Sequence, residues 1–317
     1  MSVLTVAICT YRRTGILART LQSLSDGRRP EIDWDLLVVD NDGDERVREI
    51  VLGFGDRLPI RYEHEPETGI ARARNCAVRH TTAPVILFAD DDVLFDLGWL
   101  CAMADAVRDR PECDLWGGRI KLDWSVERPR WFDVERCPML GDSVVHYDLG
   151  AQSRAWRSGA DPEFYTCNLG LRTDAIRQAG MFDVTLGHQG KRRGGGEDSW
   201  MVRAITGDGG RAWYVADALL YHPVPEERLS RRYARHFAWS QGRVGTEMLR
   251  REQESQRPPR WMYRHAFEQL CRGCMSWCAG NLRRDPGLAF AGQFNSVYGL
   301  SRLWHGLTRR RGEKLSY

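Results

Sequence analysis

Several common signatures are missing from this 317-residue sequence. It has no run of about 18 apolar residues, so we expect no transmembrane helix. The first residues lead directly into a strand pattern, without the basic and then apolar stretch of a leader, so we expect no secretory signal peptide. No internal repeat is evident. The hydrophobic fraction of 42% is still enough to bury a sizeable core.

Paired metal-binding cysteines are also missing. The nine cysteines are an odd number, and Cys271 and Cys274 have a CxxC-like spacing that no second pair matches. Buried free thiols in a reducing compartment are therefore the expected state. We predict a cytoplasmic protein.

The net charge of +3 is too small to indicate nucleic acid as a partner. The charge is unevenly distributed, however, because basic residues are concentrated in the last third of the chain. They are Arg228, Arg231, Arg232, Arg235 and Arg309–Arg311. This skew fits either peripheral contact with an anionic membrane surface or an ordinary solvated helical face. Trp304, close to Arg302, favours interfacial docking over spanning.

Strand and helix patterns alternate over the first hundred residues. The predicted strands are Val3–Ile8, Asp35–Val39, Ile60–Glu63 and Pro84–Ala89, with helical spacing between them at Leu17, Leu21 and Leu24, at Val47–Val51 and at Ile70–Val78. This alternation predicts an α/β fold with a Rossmann-like, mostly parallel sheet and a site at the carboxyl ends of its strands. We predict one α/β domain over residues 1–226 and a helical, basic extension over 227–317.

Three consecutive aspartates, Asp90, Asp91 and Asp92, follow the most apolar of these strands. Hard divalent cations prefer oxygen ligands, and a nucleoside diphosphate is commonly bound through such a cation. The triplet therefore predicts a metal–diphosphate site, with a solvated acidic turn as the alternative.

The loop after the first strand carries Thr10, Tyr11 and Arg12 and has no glycine. A dinucleotide fingerprint needs GxGxxG at this place, so nicotinamide and flavin chemistry are not expected. No Walker motif occurs either. A bound nucleotide must be held in another way.

A second carboxylate pair, Glu197 and Asp198, follows the glycines Gly194–Gly196. The pair fits catalytic carboxylates or acidic residues that begin a helix, and the two interpretations are compatible. The glycine loop has the freedom to act as a lid over a bound donor. Lys191–Arg193, just before it, fit contact with phosphates or a solvated basic loop.

The motifs together resemble the family 2 glycosyltransferases, which have a GT-A fold. The resemblance covers positions 3 to about 225 and rests on Cys9–Arg13, Val39–Asp42, Gly69–Asn75, Asp90–Asp92 and Gly195–Asp198. Within the family the chain is most similar to the succinoglycan-biosynthesis glucosyltransferases of bacterial exopolysaccharide assembly. That closer likeness rests on Tyr165–Asn168, on the Gly-Gly-Glu-Asp stretch and on His222–Glu226.

The resemblance implies roles for individual residues. The nucleotide sugar is expected to contact Thr10, Tyr11, Arg12, Asp40, Asn41, Arg74, Asp90 and Asp91, with Arg74 beside the diphosphate and Asp91 directed toward the sugar or the sheet. Mn²⁺ or Mg²⁺ is expected on Asp92 and Asp90, with His222 as a third ligand. A histidine before a proline is also commonly structural, and this alternative stays open.

The family assigns the general base to the aspartate of its Glu-Asp motif, here Asp198, with Glu197 contacting the acceptor or the metal shell. The implied activity is an inverting, metal-dependent transfer of a hexose, glucose in the first instance, from a UDP-sugar. The expected acceptor is a glycan or a polyprenyl-linked oligosaccharide of exopolysaccharide or cell-envelope biosynthesis. The alternatives are a nucleotidyltransferase and a non-catalytic nucleotide-sugar-binding or scaffold protein.

Four tryptophans, Trp116, Trp131, Trp200 and Trp213, fit either core packing or stacking on a sugar face. Packing in the core is the expectation for each of them. Trp200, two residues after Asp198, is the candidate for acceptor binding.

Overall fold

A computed structural model of the chain describes residues 2–187 and 195–308. The described residues divide into two compact units. The first comprises residues 2–123, 147–187 and 197–223, and the second comprises residues 124–146, 195–196 and 224–308. The domain limit after residue 226 stays a prediction.

The described residues form nine strands and ten α-helices. The strands are β1 (Leu4–Thr10), β2 (Trp34–Asp40), β3 (Ile60–His64), β4 (Val85–Asp90), β5 (Leu94–Phe95), β6 (Leu115–Asp123), β7 (Arg154–Ala155), β8 (Asn168–Arg172) and β9 (Ala212–Pro223). The helices are α1 (Thr14–Ser25), α2 (Glu45–Leu52), α3 (Ile70–His80), α4 (Trp99–Asp109), α5 (Pro138–Asp142), α6 (Thr173–Gln178), α7 (Glu197–Gly207), α8 (Arg231–Glu252), α9 (Arg260–Leu282) and α10 (Pro286–Thr308).

All nine strands belong to one sheet of the first unit, in the order β3-β2-β1-β4-β8-β6-β9-β5, with β7 paired to β9. The pairings β1–β2, β1–β4, β2–β3 and β6–β9 are parallel, whereas β8 runs antiparallel to both β4 and β6. Six strands therefore point the same way, and β5, β7 and β8 oppose them. The predicted α/β fold with a mostly parallel sheet is confirmed.

The four strands predicted from the first hundred residues are confirmed, each to within two residues at either end. The central residues of β1, β2 and β4 are buried, as expected where helices cover both faces of a sheet, whereas β3 at the sheet edge has no buried residue. Strand β8 was not predicted, because it has only five residues and Gly170 lies at its centre. A side chain at position 170 would meet Leu87 and Trp116, so this glycine lets β8 fit between its neighbours.

The second unit is mainly helical, which confirms the helices predicted after about residue 229. Trp131 packs on Phe290 with ring centroids 4.2 Å apart, and Arg136 pairs with Asp285 at 2.5 Å. In the described part of the chain no helix is long and apolar enough to cross a membrane.

Candidate active site

The carboxyl ends of neighbouring strands place the predicted residues along one sheet edge. Thr10 ends β1 opposite Asp40, the last residue of β2, and Cys9 lies opposite Asp90, the last residue of β4. Strand β9 runs in the same direction and carries His222 near its end. Because β8 runs the other way, the segment before it, with Thr166, reaches this same edge.

Asp91 is turned into the protein, where it is 4% exposed. Thr10 Oγ1 donates to its Oδ2 at 2.7 Å, and Arg13 Nη1 donates to its Oδ1 at 3.0 Å. Burial raises the pKa of Asp91 to about 6, against the opposing effect of Arg13. Both carboxylate oxygens are thus engaged by the protein, and a contact of Asp91 with the donor stays a prediction.

Asp92 and His222 face each other. Nδ1 of His222 lies 3.0 Å from the carbonyl oxygen of Pro223, and a carbonyl can only accept, so Nδ1 carries the proton in the neutral ring. The lone pair is then on Nε2, which lies 3.7 Å from Oδ1 of Asp92. This Oδ1 is buried and has no hydrogen-bond partner among the described residues. A carboxylate oxygen and an imidazole nitrogen directed at each other form a donor set that suits a divalent cation.

Asp92 and His222 supply few metal-binding atoms. Among the described residues no group of three or more His, Cys, Asp or Glu side chains is arranged to hold a metal ion. Oδ2 of Asp92 accepts from Arg13 Nη1 at 2.8 Å, so one oxygen of this carboxylate is committed to an arginine. A cation here would therefore take its remaining ligands from water or from a substrate diphosphate, as Mg²⁺ commonly does.

Arg74 is the central cation of the site and is 5% exposed. Its Nη1 lies 2.9 Å from Oε1 of Glu197 and 3.0 Å from Oδ1 of Asp198, and its Nη2 lies 3.8 Å from Asp90. Burial alone would lower the pKa of Arg74, but these carboxylates raise it above its usual value. The structure therefore directs this guanidinium at the carboxylates, and contact with a diphosphate stays a prediction.

Glu197 and Asp198 begin α7 and have pKa values displaced in opposite directions. Burial and the adjacent Asp198 raise the pKa of Glu197 to about 8. Burial also disfavours ionisation of Asp198, but Arg74, the Glu197 carboxyl and Thr166 together outweigh it and lower the pKa of Asp198. These opposite shifts favour the protonated form of Glu197 and the ionised form of Asp198, which is then able to accept a proton.

Thr166 fixes the orientation of Asp198. Its backbone N–H donates to Asp198 Oδ2 at 3.1 Å and its hydroxyl donates to the same oxygen at 2.9 Å. Since Arg74 binds Oδ1, both oxygens of Asp198 are held, and the carboxylate cannot rotate freely.

Asp90 has the most exposed side chain of the triplet, with 37% of its surface accessible. Burial of its carboxyl group raises the pKa of Asp90 to about 7; Arg74 opposes this shift, and Asp92 and Asp198 add to it. Its partial contact with solvent moderates that shift. An added cation would favour the ionised form of Asp90. Binding of a cation by Asp90 stays a prediction.

Of the side chains predicted to contact the nucleoside, some are exposed and others are already hydrogen-bonded within the protein. Arg12 is exposed, has a positive φ of 57° and pairs with Asp42 at 2.9 Å, and its guanidinium lies 5.0 Å from the ring centre of Tyr11. Asp40 is fully buried and accepts from Tyr62 at 3.0 Å. Asn41 donates to the carbonyl oxygens of Glu65 and Glu67. A base-edge contact in which the Asn41 amide donates would have to replace one of these bonds.

Sequence reasoning missed Arg13 and Thr166 as site residues, although both lie in motifs that it singled out. Their positions in the sequence could have indicated them, because Arg13 ends the loop motif that begins at Cys9 and Thr166 lies two residues before β8. The two thiols near the site are not nucleophiles, because burial raises the pKa of Cys9 to about 12 and raises the pKa of Cys167 well above its usual value.

Of the four tryptophans, Trp116 is fully buried and Trp131 is 9% exposed, as expected for core residues. Trp213 is half-buried beneath Arg110, whose guanidinium lies 4.0 Å from the ring centre. Trp200 is half-buried on α7, and its contact with an acceptor stays a prediction. Lys191–Arg193, Gly194 and Arg309–Arg311 lie outside the described residues, and the lid and the basic tail stay predictions.

The fold and the carboxylates at this sheet edge are typical of glycosyltransferases with a GT-A fold, and comparison with known proteins agrees. The model of the family Glycosyl transferase family 2 matches residues 5–177. The chain belongs to this family and is a glycosyltransferase. The nucleotidyltransferase alternative is thereby decided against.

Two characterised relatives and one solved structure are informative. The chain is 31% identical over 229 residues to the succinoglycan biosynthesis protein ExoM of Rhizobium meliloti (strain 1021), covering 71% of this chain and 68% of that protein. It is 35% identical over 205 residues to the validoxylamine A glucosyltransferase of Streptomyces hygroscopicus subsp. limoneus, covering 57% of this chain and 44% of that enzyme.

The solved structure is the mannosyltransferase PcManGT from Pyrobaculum calidifontis in complex with GDP-Man and Mn²⁺. It is similar at a TM-score of 0.60 and 17% identity, over 96% of this chain and 87% of that one. This likeness supports the GT-A fold.

Proposed function

We propose that the protein is an inverting glycosyltransferase that transfers a hexose from a UDP-sugar to a glycan or polyprenyl-linked acceptor, with Asp198 as the general base. The observation that carries this proposal is the Glu197–Asp198 pair, where Arg74 and Thr166 keep the half-buried Asp198 ionised. A carboxylate that is oriented, partly shielded from solvent and ionised at neutral pH suits deprotonation of an attacking hydroxyl.

The transfer is a single displacement. Asp198 accepts the proton of the acceptor hydroxyl as that oxygen forms a bond to the anomeric carbon of the donor. The bond from that carbon to the phosphate oxygen breaks, and the nucleoside diphosphate leaves with the electron pair. Attack on the face opposite the leaving group inverts the anomeric centre. Arg74 compensates the negative charge of Asp198 before the proton arrives.

A divalent cation fits Asp92 and His222, because the buried Oδ1 of Asp92 has no hydrogen-bond partner among the described residues and Nε2 of His222 is directed at it. We propose that these two residues, with Asp90, hold Mn²⁺ or Mg²⁺. Such an ion would neutralise charge on the leaving diphosphate. The Mn²⁺ named for PcManGT is in line with this assignment.

The names of the relatives support the proposed sugar and product. The name validoxylamine A glucosyltransferase supports glucose as the hexose, and the name of ExoM supports an exopolysaccharide as the product. We propose UDP-glucose as the first donor to test. A catalytically silent binding protein would not need Asp198 held in an ionised form, so the scaffold alternative is the weaker one.

We further propose that residues 1–226 form the catalytic domain, that residues 227–317 serve docking, and that the protein works in the cytoplasm with peripheral contact to the inner membrane face. All nine cysteines are free, which suits a reducing compartment.

The test is a panel of nucleotide sugars incubated with the purified protein and Mn²⁺, with release of nucleoside diphosphate as the readout. We expect slow hydrolysis of one UDP-sugar, lost with EDTA and in Asp92→Asn. The matched control is Asp105→Asn, an exposed carboxylate on α4. No binding and no hydrolysis of any nucleotide sugar would refute the proposal.

A further inference from the structure

The helices α9 and α10 pack closely through small residues. A side chain at Gly273 would meet Ser296 and Gly292, and one at Gly299 would meet the backbone of Ala266 and Leu270. The small residues recur every seven positions on each helix: Ala266, Gly273 and Gly280 on α9, and Gly292, Gly299 and Gly306 on α10. This close approach fixes which face of each helix is turned inward and leaves the opposite faces outside.

The outward face of α9 is apolar over four turns. Phe267, Met275 and Leu282 are 59%, 63% and 86% exposed. With three cysteines they recur at one-face helical spacing and form what we call the apolar stripe: Phe267, Cys271, Cys274, Met275, Cys278 and Leu282. Cys274 and Cys278 are exposed as well. An exposed run of this kind on a surface helix marks an interaction site.

Helix α10 adds a second apolar row. Leu300, Trp304 and Leu307 lie at positions i, i+4 and i+7 and are 47%, 55% and 77% exposed. Arg302 is the one Asp, Glu, Lys or Arg among the residues of this helix. Two tryptophans of α9, Trp261 and Trp277, are 47% and 45% exposed. Exposed tryptophan beside aliphatic side chains is typical of surfaces that lie at the headgroup level of a bilayer.

The charges of the same segment are predominantly positive. Residues 260–308 hold six arginines and two acids, a difference of +4. Both acids are paired with arginines: Glu268 with Arg264 at 2.9 Å and Asp285 with Arg136 at 2.5 Å. The remaining arginines of α9 and its end are Arg260, Arg272, Arg283 and Arg284. Each basic residue near an anionic lipid surface contributes on the order of 1 kcal/mol to binding.

We propose that the apolar stripe, together with the outward row of α10, docks on an anionic lipid bilayer and lies in its interface. A second copy of the chain is the other occupant with the right apolar character, but it would bring like-charged arginines together. An anionic bilayer neutralises them. The inference rests on the proposed peripheral contact of the function above and on no step of the glycosyl transfer.

The test is flotation of the full-length protein with vesicles of phosphatidylcholine, with and without 30% phosphatidylglycerol. We expect binding to the anionic vesicles, weakened in 0.5 M NaCl. The triple variant Phe267→Ser, Met275→Ser, Leu282→Ser should lose at least tenfold in partition coefficient. These side chains are exposed, so the variant should fold, which circular dichroism verifies.

The matched control replaces three exposed apolar residues of the first unit by serine: Val3, Leu52 and Leu97, which are 40%, 62% and 58% exposed. It should bind vesicles like the unmodified protein. A second readout uses native thiols, because anionic vesicles should slow alkylation of Cys274 and Cys278 by a water-soluble maleimide.

Three outcomes would overturn the proposal. They are no flotation with anionic vesicles, equal flotation of the stripe variant, and a dimer by light scattering without vesicles that the stripe variant abolishes. The last would assign the surface to a second copy. UDP binding and UDP-sugar hydrolysis are measured without vesicles on the same samples, so failure of docking and failure of the transferase function are told apart.

Discussion

Arg74 is the residue on which the electrostatics of the site depend, and Arg74→Met removes its charge while keeping most of its length. The change leaves Glu197, Asp198 and Asp90 without the cation that lies 2.9, 3.0 and 3.8 Å from them. Removal of one partner from a buried ion pair costs about 3–5 kcal/mol of folding free energy. For a protein of this size that corresponds to a fall in Tm on the order of 10 °C.

The pH dependence of this loss has a definite sign. Without Arg74 the pKa of each of these carboxyl groups rises in the folded state, so their ionisation opposes folding at pH values above their unfolded pKa values. The penalty is absent below about pH 4, where the groups are protonated in both states, and it grows with pH, so it is larger at pH 8 than at pH 5.5. Thermal unfolding followed by circular dichroism at pH 8 and at pH 5.5 measures the difference.

The control is Arg72→Met, two residues away on α3, whose arginine is 37% exposed and pairs with the exposed Glu67. A pair of this kind contributes less than about 1 kcal/mol, so its Tm should barely move at either pH. Equal Tm losses for the two variants would refute the reasoning, as would a loss in Arg74→Met that is greater at pH 5.5 than at pH 8.

Three further predictions follow from the same geometry. Glu197→Gln should raise Tm above that of the unmodified protein at pH 8.5, because the pKa of Glu197 is raised to about 8 and its ionisation opposes folding. This gain should vanish toward pH 4.5, and a thermal scan without any gain at pH 8.5 would contradict the prediction. Thr166→Val removes one hydrogen-bond donor to Asp198, so the pKa of Asp198 should rise and the acid limb of the pH–rate profile should move to higher pH. Thr206→Val on α7 is the control, and an unmoved limb in Thr166→Val would show that Thr166 does not lower the pKa of Asp198. Gly117→Ala would place a methyl group against the Phe164 ring and should lower the free energy of unfolding in urea by roughly 1–3 kcal/mol. Gly207→Ala, where the added methyl group meets open space, should leave it unchanged, and equal urea midpoints for the two variants would contradict the packing argument.

The sheet edge was predictable because its residues follow short, β-branched-rich apolar runs that are typical of buried strands. Asp40 and Asp90 each end such a run, and parallel strands bring their carboxyl ends to one edge. The partners of these residues were less predictable. Thr166 reaches Asp198 only because the five-residue strand β8 runs against its neighbours, and a short strand centred on glycine has no signal of its own.

Arg74 illustrates the same limit for charge. Its place on α3 follows from helical spacing, but the pairing with Glu197 spans 123 positions of the chain. Local periodicity contains no information about contacts at that separation, so the pairing with Glu197 was not predicted, and the contact of Arg74 with a diphosphate stays a prediction. Arg13 was missed for the same reason, because its contact with Asp92 joins the loop after β1 to the loop after β4.

The most direct test of the central claim compares the unmodified protein with Asp198→Asn for two quantities: the rate of UDP release from UDP-glucose with Mn²⁺ and the Kd for UDP. If Asp198 is the base, the rate should fall by about 10²–10⁴-fold while the Kd changes little. Asp208→Asn, an exposed position just after α7, should leave both unchanged. Turnover that persists in Asp198→Asn at the unmodified rate would contradict the account.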